Sequence, residues 1–395
     1  MIKPFASMAV LGLALVIGGN ASAHWVTSWY AAPQAGWGQE FPLPMNVPPW
    51  LDDQTVRETV RISAGGPRIR LVLSNRYGHQ PVQIGAVRVG LADGKAADSP
   101  LTFSGQAAVS IPAGATVTSD PAALALAPLA RLRVTSYLPL RTPVASFHWG
   151  AQQTLHIGAG TASGRLFLNA VMVETAEKGR TVVALGDSIT DGNGSTPDAD
   201  RRWPDVLAQR LAPHGVAVAN AGISGGRLLR DGMGQNALAR FEHDVLAQPG
   251  VSDVIVLLGI NDIGWPGSPF APAEAPVTLD ELTVGYRQLV AAAHVRGVRV
   301  TAGTLPPFEG ALEGTPYAGH YSPSKDKLRG ALNAWIRSAG VFDAVVDFDA
   351  VLRDPAHPRR MRGDYDSGDH LHPGDAGYRA MAGAIDIATM LGRAR

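Results

Sequence analysis

The sequence predicts an α/β domain that follows an all-β domain, and two contrasting patterns support this. Between residues 24 and 176, short β-branched segments alternate with turns such as Ala64–Pro67 and Pro112–Gly114, which is typical of an all-β sandwich or jelly roll. From residue 177 to 395, apolar strands alternate with helical segments, which predicts a parallel sheet with right-handed crossovers. We therefore place a domain boundary near residues 174–180.

A short apolar segment at the start of the chain precedes both domains. Lys3 is followed by the apolar stretch Met8–Ile17 and by the small residues Ala21, Ser22 and Ala23. This order is typical of a secretory signal peptide over residues 1–23, and the stretch is too short to span a bilayer. We expect a secreted or periplasmic protein that begins near His24 and is not stably inserted in a membrane. The chain has 0 cysteines, so its stability does not depend on disulfides.

The first domain is predicted from short strands separated by turn residues. Four of its tryptophans invite a sugar-stacking interpretation, but we interpret them as part of the core or the domain interface. They are Trp25, Trp29, Trp37 and Trp50. The proline-rich loop Phe41–Trp50 and the segment Gly264–Phe270 are candidates for walls of a substrate cleft. The predicted strands are Val56–Ile62, Arg68–Leu73, Val82–Val89, Ala108–Ile111, Arg131–Leu138 and Leu166–Val173.

The second domain is predicted from apolar runs that alternate with amphipathic segments. The predicted strands are Val216–Ala219, Val254–Leu258, Val298–Ala302 and Ala344–Phe348, and the predicted helices are Trp203–Leu211, Leu279–His294, Lys325–Ser338 and Ala376–Leu391.

Ser188 is the candidate nucleophile. It follows the apolar run Val182–Leu185 and Gly186, so a buried strand would deliver its hydroxyl to the carboxyl edge of the sheet, where α/β folds place their sites. A serine hydroxyl needs a base and donors for the oxyanion that it creates. A lone Gly-Asp-Ser is also common in turns, so the prediction depends on finding those partners.

His372 is the candidate base. Asp369 precedes it by three residues and could hold the Nδ1 proton, which leaves Nε2 to take a proton from serine. Pro373 predicts that a helix begins there, with His372 at its start. Two alternatives remain: Asp369 and His372 could be ordinary residues at a helix start, or His370 and His372 with nearby aspartates could bind a metal.

Two further segments could supply oxyanion donors. Asn220–Gly226 offers unhindered backbone N–H groups after a short strand, and Val254–Asp262 ends on Asn261, whose amide is a neutral donor. In the alternative interpretation, Asn261 and Asp262 cap the segment that follows them.

These four blocks, in this order, resemble those of the SGNH (GDSL) hydrolase family over residues 180–392. The resemblance implies a three-layer α/β/α sandwich around a flavodoxin-like parallel sheet. It implies Ser188 as nucleophile, His372 as base and Asp369 as its orienting acid. The Ser188 N–H, Gly225 and Asn261 would form the oxyanion hole, although Gly222 and Gly226 are alternatives for the glycine. No Gly-x-Ser-x-Gly sequence surrounds Ser188, which disfavours the α/β-hydrolase fold.

The expected function is hydrolysis of esters through an acyl-enzyme, without a metal or organic cofactor. The 34 basic and 34 acidic side chains balance, so we expect no nucleic-acid partner. The expected partner is a small-molecule or polysaccharide ester, and the resemblance favours acetyl esters of carbohydrates. The alternatives are a lipase or arylesterase, an acyltransferase that uses the same residues, and a polysaccharide-binding module.

Overall fold

The computed structural model describes residues 23–94 and 96–392. Apart from Ala23, the expected signal peptide lies outside the described residues. Within those ranges, no helix has the length and apolar character needed to cross a membrane.

Antiparallel strands joined by turns make up the first part of the chain, as the sequence predicts. In chain order they are β1 (His24–Tyr30), β2 (Gln34–Ala35), β3 (Trp50–Leu51), β4 (Gln54–Arg61), β5 (Gly66–Ser74), β6 (Val82–Ile84), β7 (Ala86–Leu91), β8 (Ser99–Leu101), β9 (Val109–Ile111), β10 (Thr116–Thr118), β11 (Ala122–Leu126), β12 (Arg131–Leu138), β13 (Thr142–Pro143), β14 (Ser146–His148), β15 (Thr154–Ile157), β16 (Gly160–Ser163), β17 (Arg165–Leu166) and β18 (Leu168–Thr175).

Two larger sheets share one hydrophobic core. One has the order β1-β18-β5-β10, with β11 also paired to β5, and the other has the order β16-β15-β4-β12-β7-β8. Burial alternates along β12, from buried Leu132 and Val134 to half-buried residues between them, because one face of an antiparallel sheet turns inward. Smaller sheets join β13 to β3, β6 to β9, and β14 to both β17 and β2.

Two predicted strands of this region are each broken in two. The segment Val82–Val89 is interrupted at Gly85, whose N–H donates to the Tyr137 carbonyl outside the β6–β9 pairing. The segment Leu166–Val173 is interrupted at Phe167, whose φ of 64° is left-handed and incompatible with a continuous strand.

The second part of the chain alternates strands and helices. The strands are β19 (Arg180–Gly186), β20 (Val216–Gly222), β21 (Val251–Leu257), β22 (Arg299–Gly303) and β23 (Ala344–Val346), and the helices are α1 (Ser188–Asp191), α2 (Trp203–Leu211), α3 (Ala237–Phe241), α4 (Ile260–Gly264), α5 (Leu279–Val295), α6 (Pro323–Ser338), α7 (Phe348–Leu352), α8 (Asp375–Ala384) and α9 (Ile387–Met390), with a 3₁₀ turn at Ala212–His214 and a π-helical turn at Glu242–Leu246.

The predicted parallel sheet is confirmed. Its order is β20-β19-β21-β22-β23, with every neighbouring pair parallel, which is the flavodoxin-like order. Residues Thr181–Gly186 of β19 are all buried, so both faces of this central strand are covered. One group of contacting helices is α2, α7 and α8, and another is α3, α5 and α6. The carboxyl ends of β20, β19 and β21 lie side by side.

Three predicted boundaries in this part are wrong. The strand from Ala344 ends at Val346, because Asp347 caps α7 by accepting a hydrogen bond from the Ala350 N–H. The helix predicted over 376–391 is two helices, because Asp386 caps α9 by accepting from the N–H groups that begin it. Pro373 is not the first helical residue: Gly374 is extended and α8 begins at Asp375.

The β region covers one edge of the parallel sheet, the edge formed by β20. Strand β1 packs against the edge strand β20, and the Val218 N–H donates to the Ser63 hydroxyl at 2.8 Å. The Tyr30 hydroxyl donates to Asp244 at 2.6 Å, and both side chains are buried. Tyr30 and Ala170 belong to the hydrophobic core of the parallel-sheet part. The two parts of the chain therefore share buried polar and apolar contacts.

We expect residues 180–395 expressed alone to be poorly soluble or markedly less active than the chain from His24 onward. The fragment exposes the edge of β20, which favours aggregation, and leaves Asp244 buried without its tyrosine donor. Solubility, thermal unfolding and hydrolysis of a small acetyl ester measure the effect. A fragment that folds and keeps full activity on the small ester would show that the β region is a separate module.

Candidate active site

Ser188 lies where the central strand of the sheet turns into a short helix. Strand β19 ends at Gly186, Asp187 caps α1, and Ser188 is the first helical residue. A side chain on Gly186 would stand 2.0 Å from the Thr190 hydroxyl, so this turn requires glycine. The Ser188 N–H has no acceptor within its helix, because it lies in the first turn.

Ser188, His372 and Asp369 form a continuous chain of hydrogen bonds. His372 Nε2 lies 2.8 Å from Ser188 Oγ, and His372 Nδ1 lies 2.6 Å from Asp369 Oδ2. The other oxygen, Asp369 Oδ1, accepts from the N–H groups of Leu371 and His372 at 2.9 and 2.8 Å. Burial alone would raise the pKa of Asp369, but the hydrogen bonds from His372 and these N–H groups hold the pKa well below its usual range. The carboxylate stays ionised and fixes the imidazole.

The glycine of the loop after β20 is identified by the hydrogen bonds around it. The Gly222 N–H donates to Asn220 Oδ1 at 2.9 Å and the Gly226 N–H donates to the Ile223 carbonyl at 2.8 Å. Among the hydrogen bonds of the described ranges, the Gly225 N–H is a donor in none, and Gly225 lines the same cavity as Ser188. Its φ of 68° favours glycine. Gly225 is thus the glycine with a free N–H at this cavity.

Asn261 also lines this cavity, within α4 directly after β21. One of its amide protons is used, because Nδ2 donates to the Gly226 carbonyl at 3.1 Å. The second proton on Nδ2 is available to a ligand. The capping alternative for Asn261 and Asp262 does not hold, because both lie inside α4 and Gly259 is its N-cap.

Asp262 holds the glycine loop, a role that the sequence did not indicate. Its two oxygens accept from the N–H groups of Leu228 and Leu229 at 2.8 and 3.0 Å. Burial raises the pKa of Asp262, and these N–H groups oppose that rise. The carboxyl therefore ties α4 to the loop that contains Gly225.

The cavity at Ser188 is small and mainly apolar. It encloses about 150 Å³ at the carboxyl edge of the sheet. The predicted cleft walls are confirmed: Leu43 of the proline-rich loop and Trp265 and Phe270 of the later segment all line it. The rings of Trp265 and Phe270 stack with centroids 5.0 Å apart. The apolar side chains around it are Leu43, Trp149, Met233, Trp265, Phe270, Leu312, Tyr317 and Leu371.

The tryptophans of the β region that were considered for sugar stacking differ in burial. Trp29 is buried in the core of the β region, as expected, whereas Trp50 is 53% exposed. The guanidinium of Arg141 packs over the Trp50 ring, 4.2 Å from the centre of that ring. The interpretation of these residues as part of the core or the domain interface is therefore wrong for Trp50, whose ring packs against a cation at the surface.

Two buried titratable groups beside the nucleophile were not singled out from the sequence. Burial raises the pKa of Asp187 to about 7; its Oδ1 accepts from the Ile189 N–H, and its Oδ2 has no partner among the described residues. Burial lowers the pKa of His320 to about 3, so this cavity-lining ring is neutral, and within the described ranges neither of its nitrogens has a partner. Nothing local in the sequence signals either burial.

His370 points away from the serine. Its Nδ1 pairs with Asp366 Oδ2 at 2.6 Å, and more than half of its side chain is exposed. Each histidine of the pair thus has its own aspartate. In residues 23–94 and 96–392, no three His, Asp or Glu side chains are grouped to hold a metal ion.

The fold and site define a doubly wound α/β domain whose serine, histidine and aspartate are joined by hydrogen bonds. Residues 184–380 match the model of the GDSL-like Lipase/Acylhydrolase family, so the chain contains a domain that is similar to members of that family. No curated protein sequence matches the chain.

Solved structures resemble about half of the chain. An aryl esterase from M. smegmatis is 19% identical over 54% of this chain and 98% of its own, with a TM-score of 0.43. A carbohydrate acetylesterase from Sinorhizobium meliloti is 20% identical over 54% and 98%, with a TM-score of 0.40. A GDSL-like lipase from Bacteroides thetaiotaomicron is 21% identical over 54% and 89%, with a TM-score of 0.40.

The two neighbouring histidines should differ sharply when each is replaced. His372→Ala removes the side chain that contacts Ser188 and should lower kcat/KM for an acetyl ester by about 10³-fold or more. His370→Ala is the matched control and should cost less than about tenfold, since within residues 23–94 and 96–392 its ring has a hydrogen bond to Asp366 alone. Equal losses at both positions, or recovery with added zinc, would favour a metal site instead.

The raised pKa of Asp187 should make stability depend on pH. The carboxyl group of Asp187 has a pKa of about 7 in the folded protein, against an ordinary pKa of 3.8 in the unfolded chain. Its contribution to stability is therefore fully present below its unfolded pKa and is lost as the pH rises through about 7. The unfolding free energy of Asp187→Asn, measured relative to that of wild type, should therefore increase by about 2–4 kcal/mol when the pH is raised from about 4.5 to about 8.

Denaturant unfolding of both proteins at the two pH values measures this difference. Comparison across pH cancels the constant cost of placing an amide where the carboxyl stood. A difference between variant and wild type that does not change with pH would show that Asp187 titrates as an ordinary carboxyl.

Proposed function

We propose that the chain is a serine ester hydrolase in which Ser188 is the nucleophile, His372 the base and Asp369 the acid that orients it. The observation that carries the proposal is the continuous chain from Asp369 through His372 to the Ser188 hydroxyl, with separations of 2.6 and 2.8 Å. It opens on a cavity that Gly225 and Asn261 also line. A serine, a histidine and hydrogen-bond donors at one cavity are what acyl transfer requires, which supports these roles.

In the first half of the reaction, Ser188 Oγ attacks the ester carbonyl while His372 Nε2 takes its proton. The carbonyl oxygen becomes an oxyanion. It accepts hydrogen bonds from the N–H groups of Ser188 and Gly225 and from the remaining amide proton of Asn261. The tetrahedral intermediate collapses when its bond to the alcohol oxygen breaks and His372 gives that oxygen the proton. The product is the free alcohol and an acyl ester on Ser188.

In the second half, water replaces the alcohol. His372 takes a proton from the water as its oxygen attacks the acyl carbonyl, and the same donors hold the second oxyanion. Release of the carboxylic acid returns the proton to Ser188 Oγ. Asp369 keeps its negative charge throughout and stabilises the imidazolium that forms twice in the cycle.

The substrates that we propose are short-chain, mainly acetyl, esters of carbohydrates. The cavity of about 150 Å³ is smaller than the roughly 300–1,000 Å³ that encloses a drug-sized ligand, which supports a short acyl group. The ring of Trp149, which also lines the cavity and is only half-buried, can pack against the apolar face of a sugar ring.

An aryl ester is the second candidate. The stacked rings of Trp265 and Phe270, continued by Phe270 on Tyr317 at 5.4 Å, form an apolar wall that also suits an aromatic alcohol. For the site of action we propose export, which rests on the sequence pattern of residues 1–23.

Replacement of the nucleophile tests the reaction. Ser188→Ala should lower kcat for p-nitrophenyl acetate by about 10³-fold or more, and a serine-directed phosphonate should label wild type but not this variant. Ser195→Ala is the matched control, because among the described residues its hydroxyl donates to the Gly192 carbonyl alone, and it should be labelled like wild type. Labelling at another serine, or an active Ser188→Ala protein, would overturn the assignment.

A substrate series tests the proposed specificity. Along p-nitrophenyl esters, kcat/KM should fall by about tenfold or more from acetyl to octanoyl, because the longer chain exceeds the cavity. Acetate release from an acetylated polysaccharide should then be compared with hydrolysis of the aryl acetate. Constant rates along the series would contradict a short acyl site, and absence of acetate release would favour the aryl ester.

A further inference from the structure

His148 connects the β region to the catalytic domain through a buried hydrogen-bond chain. It is the last residue of β14 and is buried. Its Nδ1 lies 2.8 Å from the Ala32 carbonyl and its Nε2 lies 3.0 Å from Asp191 Oδ1. A carbonyl can only accept, so the proton on Nδ1 is assigned, and Nε2 and the carboxyl hold a proton between them. The residue lies outside the segment that matches the family model.

Asp191 carries this connection to the glycine loop. It ends α1, the helix that begins with Ser188. Its Oδ2 accepts from the Ser224 hydroxyl at 2.6 Å and from the Ser224 N–H at 3.1 Å. Ser224 immediately precedes Gly225. Both the side chain and the backbone of Ser224 are therefore fixed by one carboxylate, and charge-assisted bonds of this kind are the stronger ones.

A second connection from the β region reaches the same glycine. The buried Gln34 side chain donates to the Met233 carbonyl at 2.8 Å and accepts from the Trp149 N–H at 2.7 Å. Met233 in turn packs over Gly225, since a side chain at Gly225 would stand 2.7 Å from its sulfur. The β region is thus connected to the loop that contains Gly225 in two ways, through Asp191 and through Met233.

We propose that His148 is a positioning residue for the oxyanion hole, acting through Asp191 and Ser224 on the Gly225 N–H. The inference rests on the proposed function, since it assigns a task to a donor of that reaction. An oxyanion donor stabilises the transition state more than the bound ester. Loss of its alignment should lower kcat and leave KM nearly unchanged.

The variants His148→Leu, Ser224→Ala and the double variant test this proposal. Each single variant should lower kcat for an acetyl ester by about 10- to 100-fold with KM within about twofold. The Ki of methyl trifluoromethyl ketone, which the Ser188 hydroxyl adds to in forming an oxyanion, should rise by a similar factor. Because both residues act through one chain, the double variant should be no worse than about the worse single variant.

His148→Gln keeps a donor towards Asp191 and should recover most of the kcat lost in His148→Leu. It also keeps the test valid if the leucine variant fails to fold. The control is Thr27→Val, which removes another buried bond between the two parts, from Thr27 Oγ1 to Gln248 Oε1 at 3.0 Å, without a link to Gly225. Its kcat should stay at the wild-type value even where its Tm falls.

The outcomes separate this inference from the function on which it rests. A wild-type kcat in His148→Leu, multiplicative losses in the double variant, or a kcat loss in Thr27→Val that tracks its Tm would overturn the positioning role and leave the esterase proposal standing. A wild-type protein that hydrolyses no ester, or an active Ser188→Ala variant, would overturn the proposed function itself, and the inference with it.

Discussion

The site depends on the order in which the parallel strands lie beside one another. Because β20, β19 and β21 are neighbours and all run the same way, their carboxyl ends meet at one edge of the sheet. Gly225, Ser188 and Asn261 each follow one of these strands and therefore face one cavity. His372, 184 residues after the serine, reaches it from the segment before the last long helix. A sheet whose order reverses at its centre creates such a crevice.

Buried and half-buried carboxyl groups hold the backbone around that crevice. Asp262 accepts two backbone N–H groups of the glycine loop, Asp369 accepts two N–H groups beside the base, and Asp191 accepts from Ser224 and faces His148. Each of these carboxyl groups has hydrogen-bond partners where it is removed from water, as burial of a polar group requires. Asp187 differs in that one of its oxygens lacks a partner among the described residues, and burial raises its pKa to about 7.

The β region is part of the same structural unit as the parallel sheet. It covers the edge strand β20 and supplies Tyr30 to the buried Asp244. Its loop brings Leu43 to the cavity, and Trp149 adds an aromatic wall there. A parallel sheet with an uncovered edge would offer unpaired backbone groups, so this contact has a structural reason that is independent of any substrate. Through His148, the same contact reaches the loop that contains Gly225.

The sequence by itself determined the change from antiparallel to parallel strands and the positions of Ser188, Asn261, Asp369 and His372, since apolar runs that end on polar residues are local patterns. It left three glycines open and placed a helix start wrongly at Pro373. Only the tertiary structure shows that, among the described residues, the N–H groups of Gly222 and Gly226 have acceptors and that of Gly225 has none. The same holds for the chain from His148 to Ser224 and for the raised pKa of Asp187. Burial and hydrogen-bond satisfaction arise between residues far apart in the chain, where no local pattern records them.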